Sequence, residues 1–270
     1  MSVENQQVKY LQAGMMKVEV HPSSRAAGAA AARAAADALV KLSKTSKSIG
    51  VIFATGASQL DTLAALTAIE GLPWNQVLGF HMDEYVGISP DHPASFVGYM
   101  RDRLVQKVHM GAFVEIDGTS RDPEQTGRDY AAKLRAANPQ LCLLGVGENG
   151  HLAFNDPIVA DFEDPFDAKV VRLDAECRQQ QSAEGWFENV DLVPERAITL
   201  TIPTLLRVPK LIVSVPGSRK AKIVRRALEE ETSTACPATI LRSHPDATMY
   251  LDVESASELQ ELLAPMNLVS

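Results

Sequence analysis

Five short stretches of this chain are apolar almost from end to end: Ser48–Ala54 (SIGVIFA), Val77–His81 (VLGFH), Leu141–Val146 (LCLLGV), Ala197–Leu200 and Lys210–Val215. A strand with one wet face alternates polar and apolar residues. A strand apolar throughout suits a sheet covered on both faces, the usual condition of parallel strands. Helical segments fall between the runs. An alanine-rich stretch from Ser23 to Lys47 predicts a helix with Ser23 or Ser24 as its cap. Leu60–Ile69, Ser95–Val105, Pro123–Ala137 and Lys220–Glu231 predict further helices, and Pro237–Leu241 the start of another. Lys17–Val20, Phe113–Ile116 and Ala247–Asp252 predict shorter strands, and Lys169–Leu173 a strand at a sheet edge. Asn155–Asp167 contains prolines and acidic residues and predicts a loop. No linker, composition break or repeat divides the chain. The expectation is one α/β domain over residues 1–270, with a mostly parallel sheet and helices on both faces.

Bulk properties remove several functions. With 270 residues, 46% hydrophobic and 22% charged, the chain can bury a sizeable core. A net charge of −8 argues against a nucleic-acid surface, which needs clustered cations. It leaves room for a small anionic ligand held by backbone N–H groups and one or two cations. Cys142, Cys177 and Cys236 are odd in number and form no CxxC pair, so neither a disulfide framework nor a zinc site is expected. The N-terminal MSVENQQVKYLQAG lacks the apolar core of a signal peptide, and no apolar stretch is long enough to span a bilayer. A cytoplasmic protein is expected, with no membrane partner.

Three polar clusters follow the ends of apolar strands, the edge at which open α/β sheets bind ligands. Thr55-Gly56-Ala57-Ser58 has the small residues and hydroxyls that let backbone N–H groups approach a phosphate at a helix start. The plain alternative is a strand–helix turn capped by Ser58. It is neither a P-loop nor GxGxxG, and Gly147-Glu148-Asn149-Gly150 also fails the dinucleotide pattern, so no nicotinamide cofactor is inferred. In Met82-Asp83-Glu84-Tyr85 the two carboxylates point in different directions. One can face a pocket, and if buried could move a proton between adjacent sugar carbons. The alternative is a solvated acidic turn. His151, beside glycines and five residues before Asp156, suits a proton relay, with a structural loop histidine as the alternative. His81, Asp83 and His151 have no recognised metal-ligand spacing. Cationic Arg219 and Lys220 stand at a predicted helix start, where positive charge is unfavourable unless an anion is present.

With these segments in view, the chain resembles the glucosamine-6-phosphate deaminase family. FATGASQL is similar to the family's LPTGGTP phosphate loop, GFHMDEYVGISPDHPASFVGYM to its MDEYVG signature, and LLGVGENGHLAFNDP to its GxGxxGHIAFNEP segment. LDAECR, AITLTIPTLL and PGSRKA follow in the family's order, so the resemblance covers roughly Gly50 to Asp252. It implies a Rossmann-like fold, often oligomeric, and conversion of glucosamine 6-phosphate and water to fructose 6-phosphate and ammonia, with no metal or organic cofactor. It implies that Asp83 moves the proton between C2 and C1. His151 would assist ring opening, supported by Asn149 and Asp156. Thr55, Gly56, Ala57, Ser58, Glu84, Arg178 and Lys220 would contact substrate or phosphate.

Some positions depart from the pattern. Asp156 stands where the family commonly has glutamate, which withdraws the carboxylate by about 1.5 Å unless the backbone compensates. His81 replaces asparagine, and Ala57 and Gln59 replace glycine and proline. Arg178-Gln179-Gln180-Gln181 is peculiar to this chain. The alternatives are a deaminase of another amino-sugar phosphate such as galactosamine 6-phosphate, a 6-phosphogluconolactonase, and a non-catalytic sugar-phosphate sensor. The MDEYVG and NGHLAFN segments argue against the lactonase, and retention of both Asp83 and His151 argues against the sensor.

Overall fold

The computed structural model describes residues 7–183 and 185–259. The first six residues of the N-terminal segment read as leaderless, and the C-terminal end of the expected domain, lie outside them. Elements follow the order β1 (Lys9–Ala13), β2 (Met16–His21), α1 (Ser24–Ser43), β3 (Ile49–Phe53), α2 (Leu60–Thr67), β4 (Val77–His81), β5 (Asp83–Tyr85), α3 (Phe96–Arg103), β6 (Ala112–Val114), α4 (Pro123–Ala137) and β7 (Leu141–Leu144). The chain continues through β8 (Ala168–Arg172), α5 (Ala175–Ala183), β9 (Arg196–Leu200), α6 (Ile202–Leu206), β10 (Lys210–Ser214), α7 (Ala221–Glu229) and β11 (Ala247–Asp252).

Eight strands form one sheet in the order β1-β2-β11-β10-β7-β3-β4-β6. All pair in parallel except β1, which forms an antiparallel hairpin with β2 at one edge. The apolar runs are explained by what lies on each side. Ile49, Val51 and Phe53 of β3, with Leu141 and Leu143 of β7, face a cluster that includes Ala31, Ala35 and Leu39 of α1, Leu63 and Leu66 of α2 and Met100 of α3. Ile52, Cys142 and Leu144 face the opposite cluster, with Tyr130 and Leu134 of α4, Leu205 of α6 and Ile223, Val224 and Ala227 of α7. Each run thus fills two cores with alternate residues. The alanines let α1 lie close against the sheet, and Ser23 caps it by accepting the Ala26 N–H at 3.2 Å.

The architecture is the expected α/β one. One part was not anticipated: β5, β9 and β8 form a separate antiparallel sheet, with β8 at its edge. The chain leaves the main sheet at His81 and enters this small sheet at Asp83. That exit is tightly held. The Tyr130 hydroxyl accepts the His81 N–H at 2.9 Å and donates to the His81 carbonyl at 2.6 Å. The His81 ring accepts the Ile116 N–H on Nε2 at 2.9 Å, and burial pushes its pKa down to about 3. His81 is therefore a neutral structural prop. The expected helix at Pro237–Leu241 is a 3-10 helix over Pro237–Ser243, and Lys220–Glu231 divides into a 3-10 turn (Ser218–Lys220) and α7. Among the described residues no helix is long and apolar enough to cross a membrane.

The packing of α1 makes a testable claim. Ala35 is fully buried. Ala35→Leu should overpack this face and cost about 1–3 kcal/mol, seen as a lower urea midpoint with an unchanged slope.

Candidate active site

A cleft of about 340 Å³ opens at the C-terminal ends of β3, β7 and β10. From β3 the chain winds outward to β4 and β6, whereas β7 lies on the other side of β3, next to β10. This reversal of strand order is where an open α/β sheet has a crevice.

Two loops of matching shape flank the end of β7. After β3, Gly56 turns with φ 92°, and a 3-10 turn over Ala57–Gln59 leads into α2. After β10, Gly217 turns with φ 94°, and Ser218–Lys220 leads into α7. Such φ values suit only glycine without strain. Thr55, Gly56, Ala57 and Ser58 all line the cleft, as do Ser218, Arg219 and Lys220. The opening N–H groups of a helix have no partner within it, so this end of the cleft is rich in donors. The Tyr99 hydroxyl fixes the first loop by donating to the Gly56 carbonyl at 3.0 Å. Ser58 makes no side-chain cap, and its hydroxyl instead accepts from Gln59 at 3.1 Å. In the second loop the Gly217 N–H points at both Asp252 carboxylate oxygens, each at 3.1 Å, leaving Arg219 and Lys220 to supply positive charge. Arg219 lies 3.5 Å from Glu148 and Lys220 is buried.

Asp83 and His151 enter the same cleft from other elements. Asp83 is the first residue of β5, paired with Thr199. It is buried, and burial, followed by the neighbouring Glu84 charge, holds its carboxyl well above the usual range. His151 follows the Gly147–Gly150 turn. Its Nδ1 lies 2.9 Å from Asp156 Oδ1, off the line of a straight hydrogen bond. Asn149 ties the group together: Oδ1 accepts the His151 N–H at 3.0 Å, and Nδ2 donates to Asp156 at 3.1 Å and approaches Asp174 at 3.5 Å. One amide thus serves two carboxylates, a role an aspartate could not fill. Burial pushes the Asp156 carboxyl up, but the His151 contact, the Asn149 donor and the Asp174 N–H outweigh it and leave it below its ordinary value.

Two expected substrate contacts are placed elsewhere. Glu84 does not line the cleft. Its carboxylate accepts from the N–H groups of Tyr85, Phe96 and Val97 and from the Ser95 hydroxyl, at 2.7–3.2 Å, and so holds the start of α3. Arg178 does not line it either, because its guanidinium donates to the carbonyls of Val190 and Val193 at 2.8 and 3.2 Å. Gln180 and Gln181 of α5 line the cleft, with Phe96, Phe154 and Ser24. The helix itself was missed. Its signal was Asp174, whose Oδ1 accepts the Cys177 N–H at 2.6 Å in the manner of an N-cap.

Among the described residues one group has metal-ligand geometry: His151, Asp156 and Cys177 bring ligand atoms within 4.8 Å of one another. Their mutual contacts account for the closeness. The Cys177 thiol is held well above its ordinary value by burial and by the Asp156 and Asp174 charges, so it keeps its proton. The set His81, Asp83 and His151 is not such a group, since His81 is turned into the Ile116 contact.

Fold and site together define an α/β enzyme whose single cleft is lined by two glycine-turned loops, a carboxyl and an imidazole. Residues 22–157 match the family model described as glucosamine-6-phosphate isomerases/6-phosphogluconolactonase, and the chain belongs to this family. A glucosamine-6-phosphate deaminase of Exiguobacterium sibiricum is 38% identical over 183 residues, covering 67% of this chain and 70% of that protein. One of Bacillus cytotoxicus is 32% identical over 223 residues, 82% of each chain. The structure of a monomeric glucosamine-6-phosphate deaminase superposes with a TM-score of 0.82 at 31% identity, covering 90% of this chain and all of that one. A 6-phosphogluconolactonase from Trypanosoma brucei shares the fold, with a TM-score of 0.73 at 18% identity.

The glycine beside the imidazole provides a check. A Cβ at Gly147 would overlap the His151 ring. Gly147→Ala should displace the imidazole and lower kcat by about a hundredfold, with a melting temperature that shows the fold is kept.

Proposed function

We propose that this chain is an amino-sugar-phosphate isomerase–deaminase, converting glucosamine 6-phosphate and water to fructose 6-phosphate and ammonia. The observation that carries the reading is that Asp83 and His151 share one cleft with two helix starts and Lys220. Family membership supports it, as do the relatives named glucosamine-6-phosphate deaminase.

In this reading Thr55, Gly56, Ala57, Ser58 and Lys220 hold the phosphate, which places the sugar carbons towards Asp83 and His151. His151, oriented by Asp156 and Asn149, moves a proton between the ring oxygen and the C1 hydroxyl and so opens the ring. Asp83, as carboxylate, takes the C2 proton while a proton passes from the substrate's ammonium group to the C1 oxygen, leaving a neutral enolamine. It returns the proton to C1, which gives the C2 iminium. Water adds at C2 and ammonia leaves, with fructose 6-phosphate as the second product. A carboxyl desolvated in the cleft holds a proton more firmly than one in water, which suits a group that must both take and return it.

The proposal treats residues 1–270 as one domain, supported by a main sheet that draws strands from Lys9 to Asp252. Buried free cysteines suit the reducing cytoplasm.

Purified protein should release ammonia from glucosamine 6-phosphate. Asp83→Asn should remove turnover while leaving sugar-phosphate affinity largely intact. Ammonia from galactosamine 6-phosphate instead would change the substrate and keep the mechanism. Lactone hydrolysis without ammonia would overturn the reading, and binding without any turnover would favour a sensor. The raised Asp83 pKa gives a sign for pH. The base must be ionised in the free enzyme, so kcat/KM should fall as pH drops through a value above the ordinary carboxylate range. An acid limb at or below the ordinary value of about 4 would contradict that role.

A further inference from the structure

In the glutamine run after Arg178, Gln180 holds the Glu148 N–H at 3.1 Å, whereas the role of Gln181 is explained neither by the fold nor by the proton chemistry. Gln181 is 7% exposed and still lines the cleft. One end of its amide is fixed. The Tyr85 hydroxyl donates to Gln181 Oε1 at 2.9 Å. Tyr85 is itself immobile, fully buried and boxed by the rings of Phe96, Phe154 and Phe187 at centroid distances of 5.1, 5.2 and 5.5 Å. Once a phenol occupies the carbonyl end of a planar amide, the NH2 end must point the other way. The Gln181 nitrogen makes no hydrogen bond to a described residue, and its open side is the cleft. That nitrogen is not among the buried polar atoms without a partner, so it meets solvent in the cleft, where a bound hydroxyl can take the place of water.

We infer that Gln181 is a specificity-determining residue that donates its amide N–H to a hydroxyl of the bound sugar. The proposal rests on the sugar-phosphate reading of the cleft. The chemistry limits the partner. An uncharged NH2 donor suits the lone pairs of a hydroxyl and disfavours the sugar's ammonium group, which offers only donors. The phosphate is provided for at the Gly56 and Gly217 loops. Because Tyr85 fixes its direction, the donor discriminates between epimers that place a hydroxyl differently on the same carbon. A site built to hydrogen-bond a hydroxyl rejects the epimer that leaves its donor unpaired.

The test uses calorimetric binding of glucosamine 6-phosphate and galactosamine 6-phosphate to the Asp83→Asn protein, in which turnover is blocked. Gln181→Leu and the near-isosteric Gln181→Glu are added singly, and melting temperatures are recorded for each. The preferred epimer should lose about tenfold in affinity in both variants. The other epimer should change little, so the preference collapses. Tyr85→Phe, which frees the amide to rotate, should move the preference the same way by a smaller factor. Folded Gln181 variants that keep both affinities and their ratio overturn the inference, as does failure of both sugars to bind before Gln181 is changed. The deaminase reading is judged separately, by ammonia release from the unmodified protein. Loss of preference in the Gln181 variants together with no ammonia would sustain the binding contact and remove the enzymatic reading.

Discussion

Parallel pairing is the constraint on which the rest of this structure depends. Parallel neighbours cannot be joined by a hairpin, so each strand must be followed by a crossover. Every crossover begins at the same edge of the sheet, and the polar residues that open these connections are collected there. Thr55–Ser58, Asn149–His151 and Ser218–Lys220 are far apart in sequence and adjacent in space for this reason alone. The double helical cover that keeps such a sheet dry also accounts for the unbroken apolar runs of β3 and β7.

The acidic pair Asp83-Glu84 shows how adjacent identical chemistry is divided. Both side chains are buried. Glu84 meets three donors at the start of α3, besides the Tyr85 N–H, and serves as an anchor for that helix. Asp83, on the other side of the strand, faces the cleft without comparable support and is left with a raised proton affinity. The anchor places a negative charge beside the acid and so adds to the shift.

Elements with local causes were legible in the sequence. The bounds of α4 agree with expectation because Asp122 caps its start, Pro123 opens it, and Asn138 turns left-handed with φ 44° at its end. What escaped is non-local. β5 is three residues long and exists because β9 pairs with it. Nothing in Asp83-Glu84-Tyr85 alone distinguishes a strand from a turn. Arg178 and Glu84 were assigned to the ligand from residue type and motif. Their partners, two carbonyls at Val190 and Val193 and the start of α3, become visible only when the chain is folded. Gln181 escaped for the opposite reason: a glutamine in a polar run carries no signal until a buried tyrosine is found holding one end of it.

The strand order has a consequence for assembly. β11 is last of the strands in sequence, yet it lies inside the sheet, between β10 and β2. The hairpin of β1 and β2 joins the other parallel strands only through it. Asp252, at the end of β11, also grips the Gly217 N–H and so sets one wall of the cleft. During synthesis the first hairpin must therefore wait, unpaired along one side, until β11 has left the ribosome. Ligand affinity should appear abruptly at that point, making a bound ligand a report that β2 and β11 have met.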